Sequence, residues 1–238
     1  MLGTPRGAMT PSMARLARLV VPDVPHHVTQ RGNRCQPVFF SDGDYAAYRG
    51  LVAEACAARA VRCLAWCLMP NHVHLILTPP DPDALRGALA EAHRRYARRV
   101  NRAHGWTGYL FQGRFASYPM ADAHLMAAVR YVELNPVRAG LAARAEDWPW
   151  SSAPAHVGGW ADGLTDLSAL AGLHRNWRAM LRHGLEAGDM SEAESAAIES
   201  HVRTGRPRGG DAFIAALEAG TGRVLGRRKP GPKPKRDN

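Results

Sequence analysis

The chain has 238 residues, 46% of them hydrophobic, with 31 Lys+Arg against 21 Asp+Glu for a net charge of +10. This composition excludes a disordered chain, and the basic excess favours a polyanionic partner, most simply nucleic acid. No apolar run is long enough to span a bilayer, and "MLGTPRGAMTPS" lacks the apolar centre of a signal peptide, so a cytoplasmic protein without a membrane partner is expected. The four cysteines, Cys35, Cys56, Cys63 and Cys67, form no CxxC pair, which argues against a zinc ribbon or a secreted disulfide framework.

In chain order, the alternating stretch "HHVTQRGNR" (His26 to Arg34) predicts a first strand. Ser41 and Asp42 then open a periodically apolar helix over residues 41–60. "VRCLAWCLM" and "HVHLILT" read as two strands separated only by Pro70 and Asn71, a turn short enough to require an antiparallel hairpin. A long helix is predicted from Pro82 to His104, followed by the loop "GWTGYLFQGRFASYPM", whose end is a candidate fourth strand. "ADAHLMAAVRYVELNPVRAG" reads as another helix, which Pro136 should stop. The order β-α-β-β-α-β-α predicts an α+β, ferredoxin-like split βαβ fold: an antiparallel sheet covered mainly on one face by helices, plus an extra helix. Composition shifts near Gly159 to a mostly helical, basic C-terminal region over 160–220 and an extended basic tail over 221–238.

The chemistry concentrates in two places. His72 and His74 are two apart on a strand and therefore share a face. Tyr131 and Asn135 are four apart on a helix and share one as well. Taken singly, the histidines read as polar residues on a sheet surface and Tyr131 as a core aromatic. Taken together they suit phosphoryl transfer, with two imidazoles and an amide oxygen around a divalent cation and a phenol as nucleophile.

The blocks "MARLARLVVPDVPHHVTQRGNR", "WCLMPNHVHLILTP", "LFQGRF", "RYVELNPVRAG" and "DWPWSS" resemble, in order and spacing, the REP-associated tyrosine transposases, a branch of the single-tyrosine HUH transposases. The resemblance covers residues 13–159, so residues 1–12 are expected to be disordered or a start-site extension. It implies that His72 and His74, flanking the hydrophobic Val73, are metal ligands, that Tyr131 is the catalytic nucleophile, and that Asn135 is a third ligand where related enzymes often carry glutamine. It further implies Mg²⁺ or Mn²⁺ as cofactor, of which imidazole suits Mn²⁺ better. The implied partner is single-stranded DNA with hairpin structure, nicked and rejoined through a 5′-phosphotyrosine at palindromic repeats. The alternative is a catalytically silent nucleic-acid-binding regulator descended from a transposase; monomer and homodimer both stay open.

Further DNA contacts are sought among basic and aromatic residues. Arg94, Arg95, Arg98 and Arg99 form either a phosphate track or a solvated helix face. Phe111, Arg114 and Phe115 combine rings for stacking unpaired bases with a backbone contact, against core burial of the rings. Gly205-Arg206-Pro207 resembles a minor-groove hook, and Arg227, Arg228 and Lys229 begin a basic tail suited to phosphates. Trp148 and Trp150 read as packing anchors.

Overall fold

A computed structural model describes residues 18–174, 176–186 and 192–226. Its strands are β1 (His26–Arg31), β2 (Arg62–Met69), β3 (His72–Thr78) and β4 (Ala116–Pro119). Its helices are α1 (Asp42–Ala57), α2 (Ala84–His104), α3 (Leu125–Arg138), α4 (Ala153–Gly158), α5 (Trp177–Glu186), α6 (Glu192–Thr204) and α7 (Asp211–Thr221). The strands form one four-stranded sheet in the order β2-β3-β1-β4, with every neighbouring pair antiparallel. This is the split βαβ, ferredoxin-like arrangement. No helix among the described residues is long and apolar enough to cross a membrane.

Local chemistry sets the element ends. Ser41 caps α1 by accepting from the Asp44 amide at 3.3 Å, with Asp42 and Asp44 in the first turn where the helix dipole favours acid. Gly105 ends α2 in the left-handed region at φ 64°, which a side chain would disfavour. Between β2 and β3, Met69 pairs directly with His72, so Pro70 and Asn71 are the whole turn. Pro70 O accepts from the Val38 amide at 2.8 Å, which ties the segment after β1 to that turn.

Strand alternation gives the sheet two chemically different faces. Val28, Trp66, Leu68, Val73, Leu75 and Leu77 pack with Tyr48 and Val52 of α1 and Leu85, Leu89 and Tyr96 of α2. On the opposite face Cys67, Met69, Ile76 and Tyr118 pack with Val129 and Val132 of α3, Met180 and Leu181 of α5 and Ile198 of α6. The expectation of one covered face is therefore corrected. Within the basic C-terminal region, α5 and α6 carry apolar residues that join α3 over the second face. The sheet edges are closed too: Arg208 pairs its backbone with Pro119 and Ala121 beside β4, and Cys67 and Cys63 of β2 bridge to Ser151 and Thr165. Trp148 and Trp150 pack against the core as anchors.

Pro136 does not stop α3, which runs two residues further to Arg138. Proline removes a single N–H and presses its ring on the carbonyl four residues before it, costs that fall on the preceding turn, so Val137 and Arg138 continue the helix. The helix is held by a buried polar knot. Fully buried Glu133 accepts from Ser152 Oγ at 2.6 Å, His156 Nδ1 at 2.5 Å and Trp177 Nε1 at 2.7 Å, joining α3 to α4 and α5. Glu133→Ala strands the His156 Nδ1 and Trp177 Nε1 donors at about 1–3 kcal/mol each, while Ser152 Oγ keeps the Trp66 carbonyl, so a loss of at least ~2 kcal/mol in urea-unfolding stability is expected. A change below ~1 kcal/mol would show that the knot does not hold the helix.

Candidate active site

The second face of the sheet carries His27 and Arg31 on β1 and His72 and His74 on β3, with Thr29 directly opposite His74 and Arg31 opposite His72. His72 and His74 lie with ring centroids 4.9 Å apart. Each has its Nδ1 engaged: that of His72 donates to Asn71 Oδ1 at 2.6 Å, and that of His74 is 2.9 Å from His27 Nε2. His27 Nδ1 in turn is 3.2 Å from Tyr118 Oη. An N–H fixed at Nδ1 leaves Nε2 as the lone-pair atom, the usual second-sphere device for orienting a metal-binding imidazole.

Burial is the first cause of the electrostatics here. It lowers His72 to about 4, helped by nearby Arg31, and lowers His27 to about 3, helped by Arg208. His74 is pushed well below the ordinary histidine range by burial, then by His72, His27 and Arg31. All three rings are thus neutral at neutral pH, the protonation state a metal requires. Among the described residues there is no group of three or more His, Cys, Asp or Glu side chains placed to hold a metal. A cation here would rest on His72 and His74 with Asn135 as the added oxygen donor, and this donor set fits the chemistry of Mn²⁺ or Mg²⁺.

Tyr131 projects from α3 toward the histidines. It is 5% exposed, its ring centroid is 5.6 Å from that of His74 and 6.0 Å from that of His27, and the Arg138 guanidinium carbon lies 5.6 Å from its ring centroid. Burial and the carboxylate of Glu199 raise the phenol above its ordinary value, while Arg138, Asn135 and Arg31 oppose them. Asn135, one helical turn on, donates Nδ2 to the Tyr131 carbonyl at 2.8 Å. All four of His72, His74, Tyr131 and Asn135 line one cleft of about 940 Å³, whose far wall is α6 with Glu199 and Arg203.

The other expected contacts divide. Arg114 is exposed and lines the cleft. Phe111 and Phe115 are instead buried in the core, and the Arg18 guanidinium stacks 3.5 Å from the Phe115 ring centroid, so neither ring offers a face to a base. The α2 arginines sit behind the opposite sheet face. Arg94 pairs with Glu91 at 2.7 Å, Arg95 with Glu54 at 2.6 Å, and Arg99 lies 3.6 Å from Asp44; Arg98 is exposed. Arg206 is no extended hook, because its guanidinium donates to the Leu225 and Gly226 carbonyls at 2.7 and 2.9 Å. Arg227, Arg228, Lys229 and the first twelve residues lie outside the described residues.

Sequence reasoning passed over His27, Arg31 and Arg138. The first two share a strand face by the same alternation that singles out His72 and His74, and Arg138 is two helical turns beyond Tyr131. Glu199 and Arg203 left no signal, since nothing local ties α6 to β3.

Residues 21–135 match the family described as "Transposase IS200 like". The chain is 26% identical over 132 residues to the REP-associated tyrosine transposase of Escherichia coli (strain K12), covering 52% of this chain and 78% of that protein. It is 26% identical over 118 residues to a Haemophilus influenzae protein provisionally given the same description, covering 44% and 66% respectively. A solved structure described as "Structure of the REP associates tyrosine transposase bound to a REP hairpin" aligns with a TM-score of 0.50 and 25% identity over 66% of this chain and 96% of that one. Over residues 21–135 the chain is similar to the IS200-like transposase family, and it resembles the REP-associated tyrosine transposases.

Proposed function

We propose that the protein is a metal-dependent transesterase that nicks and rejoins single-stranded DNA beside hairpins formed by palindromic repeats. The observation that carries this reading is the meeting of a buried phenol with two neutral, hydrogen-bond-oriented imidazoles in a cleft edged by arginines. A Mg²⁺ or Mn²⁺ ion held by His72, His74 and Asn135 would supply Lewis-acid polarisation of the scissile phosphate. Tyr131 Oη attacks phosphorus, the P–O(Tyr) bond forms and the P–O3′ bond breaks. The phenol loses its proton as the departing O3′ gains one, and the DNA stays attached through its 5′ phosphate. Arg138 and Arg31, which already oppose the rise in the phenol's pKa, favour the phenolate character that develops during attack. The bond energy remains in the phosphotyrosine, so a 3′ hydroxyl reverses the step without ATP.

The cleft needs a backbone that can turn into it, which a stacked duplex resists. An imperfect hairpin with a single-stranded flank should therefore be cut in the flank in the presence of Mn²⁺, with the protein left on the 5′ phosphate. A perfectly paired duplex of the same sequence should stay uncut. Denaturing gels compare the two at one salt concentration, and equal cleavage of the duplex would defeat the proposal.

A further inference from the structure

The loop between α2 and β4 exposes aromatic rings that the core does not use. Trp106 is 48% exposed and Tyr109 is 90% exposed, and Phe40, from the segment after β1, is 41% exposed. Phe40, His104 and Trp106 make one patch: His104 stacks on Trp106 with centroids 4.4 Å apart, and Phe40 lies 4.5 Å from His104 and 5.5 Å from Trp106.

The patch sits at the same end of the sheet as the candidate active site. The Val38 and Phe39 amides donate to the carbonyl of Pro70 at 2.8 and 3.3 Å, and Pro70 is two residues before His72. Beyond the patch, the loop is stitched to the end of β1. Asn33 N donates to Leu110 O and Gln112 N to Arg31 O, both at 2.8 Å, and the loop enters the cleft wall with Gln112 and Arg114. Tyr109 is only three residues from Gln112, so the reach from rings to cleft is about 10 Å of extended chain.

Charge at this end is also distinct. Arg31, Arg34, Arg102 and Arg114 are exposed, and none has a carboxylate within salt-bridge distance among the described residues, whereas Arg94 and Arg95 do. Exposed rings interleaved with uncompensated guanidinium groups suit unpaired bases attached to phosphates.

We propose that Trp106 and Tyr109, backed by Phe40 and His104, form a stacking platform for the unpaired DNA strand running out of the active-site cleft. The occupant is a single strand, its bases on the rings and its phosphates along Arg31, Arg34, Arg102 and Arg114. This replaces the buried Phe111 and Phe115 as base platform. It rests on the single-strand reading of the cleft, but the binding itself needs no chemistry.

The test uses the full-length protein in EDTA, so that cleavage does not enter. Three fluorescent probes are titrated: a hairpin with a flank of about ten nucleotides, the same hairpin without its flank, and plain oligothymidine. Trp106→Ala/Tyr109→Ala should bind the flanked hairpin and oligothymidine about tenfold more weakly than wild type, and the flankless hairpin within about twofold. Trp106→Phe should restore most of the loss, because a ring returns. Arg34→Ala/Arg102→Ala should lower the slope of log affinity against log salt for the flanked probe by about two. Unchanged oligothymidine affinity in the ring variant would overturn the platform, as would an equal loss on the flankless hairpin. So would a wild-type sedimentation dimer that the ring variant abolishes, which would make the patch a contact between copies. Because oligothymidine needs neither hairpin nor scission, the platform can fail while the cleavage reading stands, and the reverse.

Discussion

Tyr131→Phe is expected to lower strand cleavage by about 10⁴-fold or more and to abolish the covalent protein–DNA product, since on the proposed reading the nucleophilic atom alone is removed. The ring stays, and with it the edge contacts to His74 and His27 that pack α3 on the sheet. Burial is the largest influence on the phenol, and replacing a buried hydroxyl by hydrogen should change unfolding stability by no more than about 1 kcal/mol. Hairpin affinity should stay within about twofold, because binding is carried by phosphate and base contacts elsewhere. Denaturing gels read cleavage and the adduct together, and a thermal melt controls for folding. Cleavage near the wild-type rate in this variant would remove Tyr131 from the chemistry.

The second large effect is expected at the imidazoles, and it should be graded. On the proposed reading, His72→Ala or His74→Ala removes a ligand atom outright, so Mn²⁺ binding measured by calorimetry should fall below detection and cleavage with it. His27→Ala leaves both ligands in place but takes away the partner of His74 Nδ1, so Mn²⁺ affinity should drop by about 10–100-fold. Holding a cation through Nε2 would leave the His74 proton on Nδ1 to donate to His27, which would then donate from Nδ1 to Tyr118 Oη. His27→Gln, which offers an acceptor oxygen, should recover part of the loss, while a variant that merely loosens packing would not. EDTA should stop the wild type. Full cleavage in EDTA would take the metal out of the mechanism, and equal Mn²⁺ affinity in His27→Ala and wild type would reduce His27 to a packing residue.

The sheet was legible in the sequence because its signals are local. Alternation marks β1 and β3, and Pro70-Asn71 leaves room only for a hairpin. The pairing of His72 with His74 follows from a two-residue period, and that of Tyr131 with Asn135 from a helical turn. What was not legible depends on contacts between distant segments. Phe111 reads like a surface aromatic beside Arg114 until its bridge to Gly32 turns it under the sheet. The α2 arginines read equally as a phosphate track or a solvated face until Glu54 and Asp44 arrive from α1 to pair with Arg95 and Arg99. His27 gains meaning only from the strand register that sets His74 within reach. Pro136 misled for a different reason: its lost N–H and its ring act on the carbonyl four residues before it, and neither prevents the two helical residues that follow.

One wall of the cleft has a consequence for fidelity. The family match stops at Asn135, yet Glu199, Ser200 and Arg203 of α6 face the same space as Tyr131. A phosphotyrosine serves rejoining only while the next nucleophile is a DNA hydroxyl; attack by water would leave a broken strand for good. On the proposed reading, the chemistry lies in the sheet and α3, whereas one wall of the cleft that would hold the broken state comes from α6, which begins only at Glu192. Substitutions in α6 can thus change the ratio of resealing to hydrolysis while the rate of the first cut stays the same.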